Sequence, residues 1–123
     1  DILLKKTEKL KTDIIPILES INGLANLEEI CSFKERIKIV SFGSHDLAKS
    51  INLKISEDEK EILEFRKNIV NKSKNIKSPI DTSFLNFKDL NGFEKSCNFV
   101  KKLGFGGKAC IHPDQVQISN KIF

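Results

Sequence analysis

With 123 residues and a hydrophobic fraction of 39%, the chain has material for one compact domain with a core and too little for two ordinary ones. No apolar run approaches the ~20 residues of a membrane helix, and the 31% of charged residues suits a water-exposed globular surface, so the sequence argues against a membrane partner. A net charge of +4 is spread as lysines over every expected helix; without tyrosine or tryptophan to stack on bases it argues against nucleic-acid binding while suiting an anionic substrate.

In chain order, residues 1–11 are lysine-rich and amphipathic, without the apolar core or small-residue cleavage site of a signal peptide, so a cytoplasmic location is expected. Residues 14–19 (IIPILE) form a short apolar run ending in an acid and predict a strand; residues 21–33, with Leu24, Leu27, Ile30 and Cys31 at helical spacing, predict a helix. Residues 37–42 (IKIVSF) predict the second strand, residues 43–46 a turn, and residues 47–51 a short helix. Ser56 and Glu59 are spaced as a capping box ahead of Ile62, Phe65 and Ile69, which predicts a long helix over residues 57–75 with its charges outward.

Residues 79–82 (PIDT) read as the third strand, followed by a helix whose buried face is Leu90, Phe93, Cys97 and Val100 and whose stop is Gly104. Residues 108–112 (KACIH) read as the fourth strand, and Pro113 opens a last helix through Val116, Ile118 and Ile122. Cys31, Cys97 and Cys110 are odd in number and flanked by apolar residues, as expected of reduced, buried thiols. The alternation of strand and helix calls for an α/β fold with a parallel sheet, either an open doubly wound sheet or part of a (β/α)₈ barrel. Length favours the open sheet. The placement of Glu19, Gly43 to Asp46, Asp81 and His112 at the ends of the four strands favours the barrel, which keeps its active site there.

Glu19 and Asp46 lie 27 residues apart at the ends of successive strands, so a parallel sheet brings both carboxylates to one rim. Such a pair suits Mg²⁺, which takes one or two carboxylates and completes its shell with water and substrate oxygens. The structural alternative is that Glu19 pairs with a lysine and Asp46 caps the helix after it. Gly43, Ser44 and His45 offer backbone N–H groups at a helix start for a substrate carboxylate, and His45 is a candidate acid/base. Asp81 and His112 admit either a structural or a functional reading. Gly104, Gly106, Gly107 and Lys108 lead into a strand, without the strand-then-helix order of a phosphate-binding loop.

In order, the segments IIPILESINGLANLEEI, IVSFGSHDLAKSI, PIDTSFLNFKDLNGF and KKLGFGGKACIHPDQVQISNKIF resemble the later strands of the citrate lyase beta subunit and malyl-CoA lyase family. The first matches that family's strand ending in a metal-binding glutamate, which carries over to Glu19. The second matches its FG-x-x-DL turn, which carries the metal aspartate over to Asp46 and the oxo-acid carboxylate seat to Gly43, Ser44 and His45. The resemblance implies residues 1–123 as one partial domain, strands five to eight of a TIM (β/α)₈ barrel. It also implies Mg²⁺ and reversible cleavage of a citryl- or malyl-type 3-hydroxyacyl thioester, carried on CoA or an acyl-carrier protein, to an acetyl-type thioester and a 2-oxo acid such as oxaloacetate or glyoxylate. His45 replaces the usual acidic residue before the aspartate, and Gly106 stands where the family often has aspartate. The family's first four strands, a substrate-holding arginine and a C-terminal segment are not represented, so these residues alone are expected to be inactive and to associate with a complementary half-barrel or with themselves. Two other readings stay open: a class II metal-dependent pyruvate aldolase, and a non-catalytic barrel remnant or binding module.

Overall fold

A computed structural model of the chain describes residues 12–123; the lysine-rich stretch over residues 1–11 lies outside them. Four short strands, β1 (Ile17–Leu18), β2 (Ser41–Phe42), β3 (Ile80–Asp81) and β4 (Gly107–Lys108), form one parallel sheet in the order β1-β2-β3-β4. The register places Ile17 beside Ser41, Ser41 beside Ile80 and Ile80 beside Gly107. A further parallel bridge joins Ile14 to Ile37, so the apolar runs foreseen over residues 14–19 and 37–42 lie side by side although their laddered parts are short. Helices follow each strand: α1 (Ile21–Ala25) and α2 (Leu27–Ser32) after β1, α3 (Ser44–Ser50) and α4 (Leu63–Lys72) after β2, α5 (Leu90–Leu103) after β3, and α6 (Pro113–Ile122) after β4. The expected α/β parallel arrangement is present.

The single helix expected over residues 21–33 is two. Asn26 separates them, and both its backbone N–H and its side-chain Nδ2 bond to the carbonyl of Asn22, the local competition with helical bonding that asparagine brings. The capping box is also different. Ser56 receives its partner from Glu61, whose carboxylate accepts from the Ser56 N–H (3.0 Å) and hydroxyl (2.7 and 2.8 Å). Glu59 cannot fill that role because its backbone is left-handed, at φ 52°, and its carboxylate is bonded to Arg66. The helix therefore begins as a 3-10 turn at Lys60–Ile62 and is regular only over Leu63–Lys72. Nor do all its charges point outward, since Arg66 is buried between Ile62 and Ile69 on the inner stripe.

α5 matches its expected face, with Phe93, Cys97 and Val100 buried. Asp89 caps its N-terminus through Gly92, and Gly104 ends it in the left-handed region at φ 112°, where glycine carries no Cβ penalty. α6 starts at Pro113 as expected, but its inward residues are Gln115 and Ser119, while Val116 is exposed. Gln115 turns inward because its amide bonds both ways, accepting from Ile111 N and donating to Phe84 O.

The core lies on one face of the sheet: Leu18, Val40 and Phe42 pack with Leu24, Leu27, Cys31, Leu47, Ile62, Ile69 and Val100 from the helices. Because side chains alternate along a strand, the register layer of Ile17, Ser41 and Ile80 takes the opposite face, where Ile17 is 60% exposed and Ile15 53%. No helix among the described residues is long and apolar enough to cross a membrane.

Cys31 and Cys97 are fully buried, Cys110 partly, and all three are free thiols. Burial pushes the Cys97 thiol from its ordinary 9.0 up to about 11 and also raises Cys31. A thiol that resists ionisation only in the folded state costs nothing below pH 9 and removes stability as the pH climbs from there toward 11, where the unfolded chain ionises first. At pH 8 a disulfide reagent is expected to label Cys110 in the folded protein and Cys31 and Cys97 only after unfolding, as counted by mass spectrometry. Rapid labelling of Cys97 in the native state would contradict its burial.

Candidate active site

Glu19 follows directly on β1 and is exposed at the C-terminal edge of the sheet. Leu18 pairs with Phe42, so the next residues, Glu19 and Gly43, stand side by side. A methyl group on Gly43 would come within 3.0 Å of both Glu19 Cβ and Ile17 Cγ2 and 3.3 Å from Glu19 Oε2. The missing side chain at Gly43 therefore leaves the space in which the Glu19 carboxylate rests against the turn after β2.

Asp46 is the third residue of α3 and exposed. It does not cap that helix, whose N-cap position is Gly43 with no side-chain bond, and the helix starts three residues earlier than expected. Among the described residues neither Glu19 nor Asp46 enters an ion pair or side-chain hydrogen bond. Among the described residues Glu19 thus has no lysine partner and Asp46 makes no capping bond. No group of three His, Cys, Asp or Glu side chains forms a closed metal cage among the described residues. Two unpaired carboxylates on an open rim fit a hard cation that keeps water and substrate in its remaining positions, and fit poorly the closed nitrogen and sulfur set of structural zinc.

The backbone N–H groups expected to seat a carboxylate are only partly open. Gly43 N–H donates to Leu18 O at 2.9 Å and Ser44 N–H to Thr82 Oγ1 at 3.3 Å, which leaves His45 and Asp46 as the first-turn amides with no acceptor among the described residues. The Ser44 side chain is buried and bonded to Thr82 as well. His45, half-buried, places Nε2 3.2 Å from Ser83 O. A carbonyl only accepts, so Nε2 is the donor in this contact.

Behind the rim lies a buried charge cluster that the sequence did not announce. Asp81 accepts from Arg66 Nε (2.9 Å), Arg66 Nη2 (3.0 Å) and Lys108 Nζ (2.6 Å), and Arg66 Nη2 also donates to Glu59 (2.6 Å). Arg66, Asp81 and Lys108 are all shielded from solvent. Burial alone would lower the Arg66 pKa, yet the hydrogen bonds and charge of Asp81, with the charge of Glu59, hold it above the ordinary arginine value. Asp81 thus faces the helices and not the open rim, its carboxylate held by Arg66 and Lys108. The corresponding end of β4 is Lys108, and His112 lies beyond it as the N-cap of α6, with Nδ1 accepting from Asp114 N and the ring stacked on Phe87 at 5.0 Å. A cleft of about 630 Å³ opens beside His45, walled by Ile55, Phe84, Leu85 and Phe99 and by Glu57, Asp58, Asp89 and Lys95. Glu19 and Asp46 do not line it.

Residues 5–113 match the family model described as HpcH/HpaI aldolase/citrate lyase. The chain is 30% identical over 122 residues to the mitochondrial citramalyl-CoA lyase of Rattus norvegicus, covering 90% of this chain and 36% of that protein. It therefore spans little more than a third of that relative. Among solved structures, RipC from Yersinia pestis superposes with a TM-score of 0.84 at 26% identity, covering 97% of this chain and 57% of that one. The Mycobacterium tuberculosis citrate lyase beta subunit, solved with oxaloacetate and magnesium, superposes with a TM-score of 0.78 at 21% identity over 89% of this chain and 52% of that one, a likeness of fold.

Proposed function

The chain belongs to the HpcH/HpaI aldolase/citrate lyase family, and from that premise we propose that it is the carboxylate-bearing part of a Mg²⁺-dependent carbon-carbon lyase acting on a 3-hydroxyacyl thioester. The observation that carries this reading is the pair of unpaired carboxylates, Glu19 and Asp46, on one rim of the parallel sheet, with Gly43 clearing space for the first. In this reading Glu19 and Asp46 hold Mg²⁺, which when bound supplies polarisation of the 2-oxo acid carbonyl. The His45 and Asp46 amides bind the oxo-acid carboxylate. His45, its Nε2 3.2 Å from Ser83 O, stands beside these amides as the candidate acid/base. The thioester, on CoA or a carrier protein, is cleaved to an acetyl-type thioester and a 2-oxo acid such as oxaloacetate or glyoxylate.

The exposed Ile15 and Ile17 support a further part of the reading, in which this sheet is the later half of a barrel and its open face is covered by the remaining strands or by a second copy. The test supplies the intact protein with Mg²⁺ and, separately, a citryl- or malyl-type CoA thioester and a free hydroxy-oxo acid. Release of oxo acid from the thioester alone is the expected result; pyruvate released from the free acid would assign an aldolase instead, and no turnover of either would favour a non-catalytic barrel. Residues 1–123 by themselves are expected to be inactive, and a monomeric, soluble, lyase-active preparation of them would overturn the half-barrel reading.

A further inference from the structure

Gly43 creates a difficulty that the neighbouring strand answers. The N-cap position of a helix normally carries a side-chain oxygen that satisfies one of the first-turn N–H groups. At α3 that position is glycine, and a Cβ there would stand only 3.0 Å from Glu19 Cβ and Ile17 Cγ2. The helix that presents His45 and Asp46 therefore has no cap of its own. Thr82, two residues beyond Ile80 on the same face of the sheet and 2% exposed, supplies one: its Oγ1 accepts from Ser44 N at 3.3 Å and from Ser44 Oγ at 3.0 Å, across 38 residues of sequence. Thr82 itself is fixed from both sides. Asp81 before it is clamped by Arg66 and Lys108, Ser83 O after it accepts from His45, and Phe84 O accepts from Gln115.

We propose that Thr82 is a positioning residue for the candidate site, a helix cap supplied from the adjacent strand that sets the turn carrying His45 and Asp46 against Glu19. The proposal rests on the reading that Glu19 and Asp46 hold the metal, and it adds the residue that fixes their relative placement. Thr82 touches neither metal nor substrate and acts through Ser44. Two substitutions separate the hydroxyl from the volume: Thr82→Val keeps the volume and deletes the acceptor, and Thr82→Ser keeps the acceptor.

The experiment compares the intact protein with Thr82→Val, Thr82→Ser and Glu19→Gln by Mn²⁺ titration, followed through water-proton relaxation, and by hydrogen exchange of the peptide spanning residues 43–47. Thr82→Val is expected to weaken Mn²⁺ binding by ~10-fold or more, the effect usual for outer-shell partners of a metal ligand, and to speed exchange in that peptide; Thr82→Ser is expected to restore both. Wild-type exchange in Thr82→Val would overturn the capping role, and so would failure of Thr82→Ser to restore binding. Normal Mn²⁺ binding by Glu19→Gln would instead overturn the metal reading beneath it, so the two failures have different signatures. Should Thr82→Val not fold, Thr82→Cys, a weaker acceptor of similar size, carries the same comparison.

Discussion

Asp81→Ala is expected to lower the unfolding free energy by ~3–5 kcal/mol, the cost of breaking a buried ion pair from one side. The carboxylate is the common partner of two buried cations, Arg66 and Lys108, and it accepts three hydrogen bonds from them at 2.6 to 3.0 Å. Without it Arg66 keeps Glu59, at 2.6 Å, but Lys108 has no other ion-pair partner among the described residues. Because Lys108 is the cation left without a partner while Arg66 keeps Glu59, the variant should be partly relieved by Lys108→Met and little relieved by changes around Arg66. Urea-unfolding midpoints of the intact protein measure this. A loss under about 1 kcal/mol, the scale of a solvated surface pair, would mean that water reaches the cluster. The converse substitution informs as well: replacing Arg66, Asp81 and Lys108 together by apolar residues of similar volume should cost far less than Asp81→Ala, because the desolvation penalty disappears with the charges.

The cluster also shows where sequence reasoning stops. The first two strands were legible because each lies in a short apolar run closed by a turn residue, whereas the fourth, expected over residues 108–112, is laddered only at Gly107–Lys108; α5 was legible because Phe93, Cys97 and Val100 recur at helical spacing before Gly104. The placement of Glu19 just after β1 and of Asp46 just after β2 was legible because parallel strands deliver their ends to one edge. Arg66, Asp81 and Lys108 are spread over 42 residues, and long-range ion pairing leaves no local period. One signal was present: Arg66 interrupts the stripe of Ile62 and Ile69, and a charge on an apolar stripe asks for a buried partner. Gln115 and Ser119 broke the apolar pattern of α6 in the same way. The capping box failed for a related reason, since Glu59 had the right spacing but its carboxylate is taken by Arg66. Thr82 gave no sign at all, because its partner Ser44 is distant in sequence and the need for it arises from Gly43, whose absent side chain is explained by Glu19 and Ile17 on the adjacent strand.

That same arrangement sets the second large expectation. In the intact protein Mn²⁺ should bind as a surrogate for Mg²⁺, more tightly with oxaloacetate present, and Glu19→Gln and Asp46→Asn should each abolish the binding, since a site with two carboxylates has no protein ligand to spare. Both side chains are exposed and bonded to nothing among the described residues, so their loss should change folding stability by no more than about 0.5 kcal/mol. Binding that disappears while the fold persists separates a functional carboxylate from a structural one, the distinction the sequence alone left open. Gly43→Ala supplies the geometric control. Its φ of −108° lies outside the left-handed region that favours glycine, so the effect of the substitution is read from the space around the new methyl group. Its new methyl group, 3.0 Å from Glu19 Cβ, must push the carboxylate aside and should weaken Mn²⁺ by ~10–100-fold without removing a ligand. If instead both carboxylate variants bind Mn²⁺ like wild type, these groups are solvated surface charges and the rim of this sheet does not hold the metal.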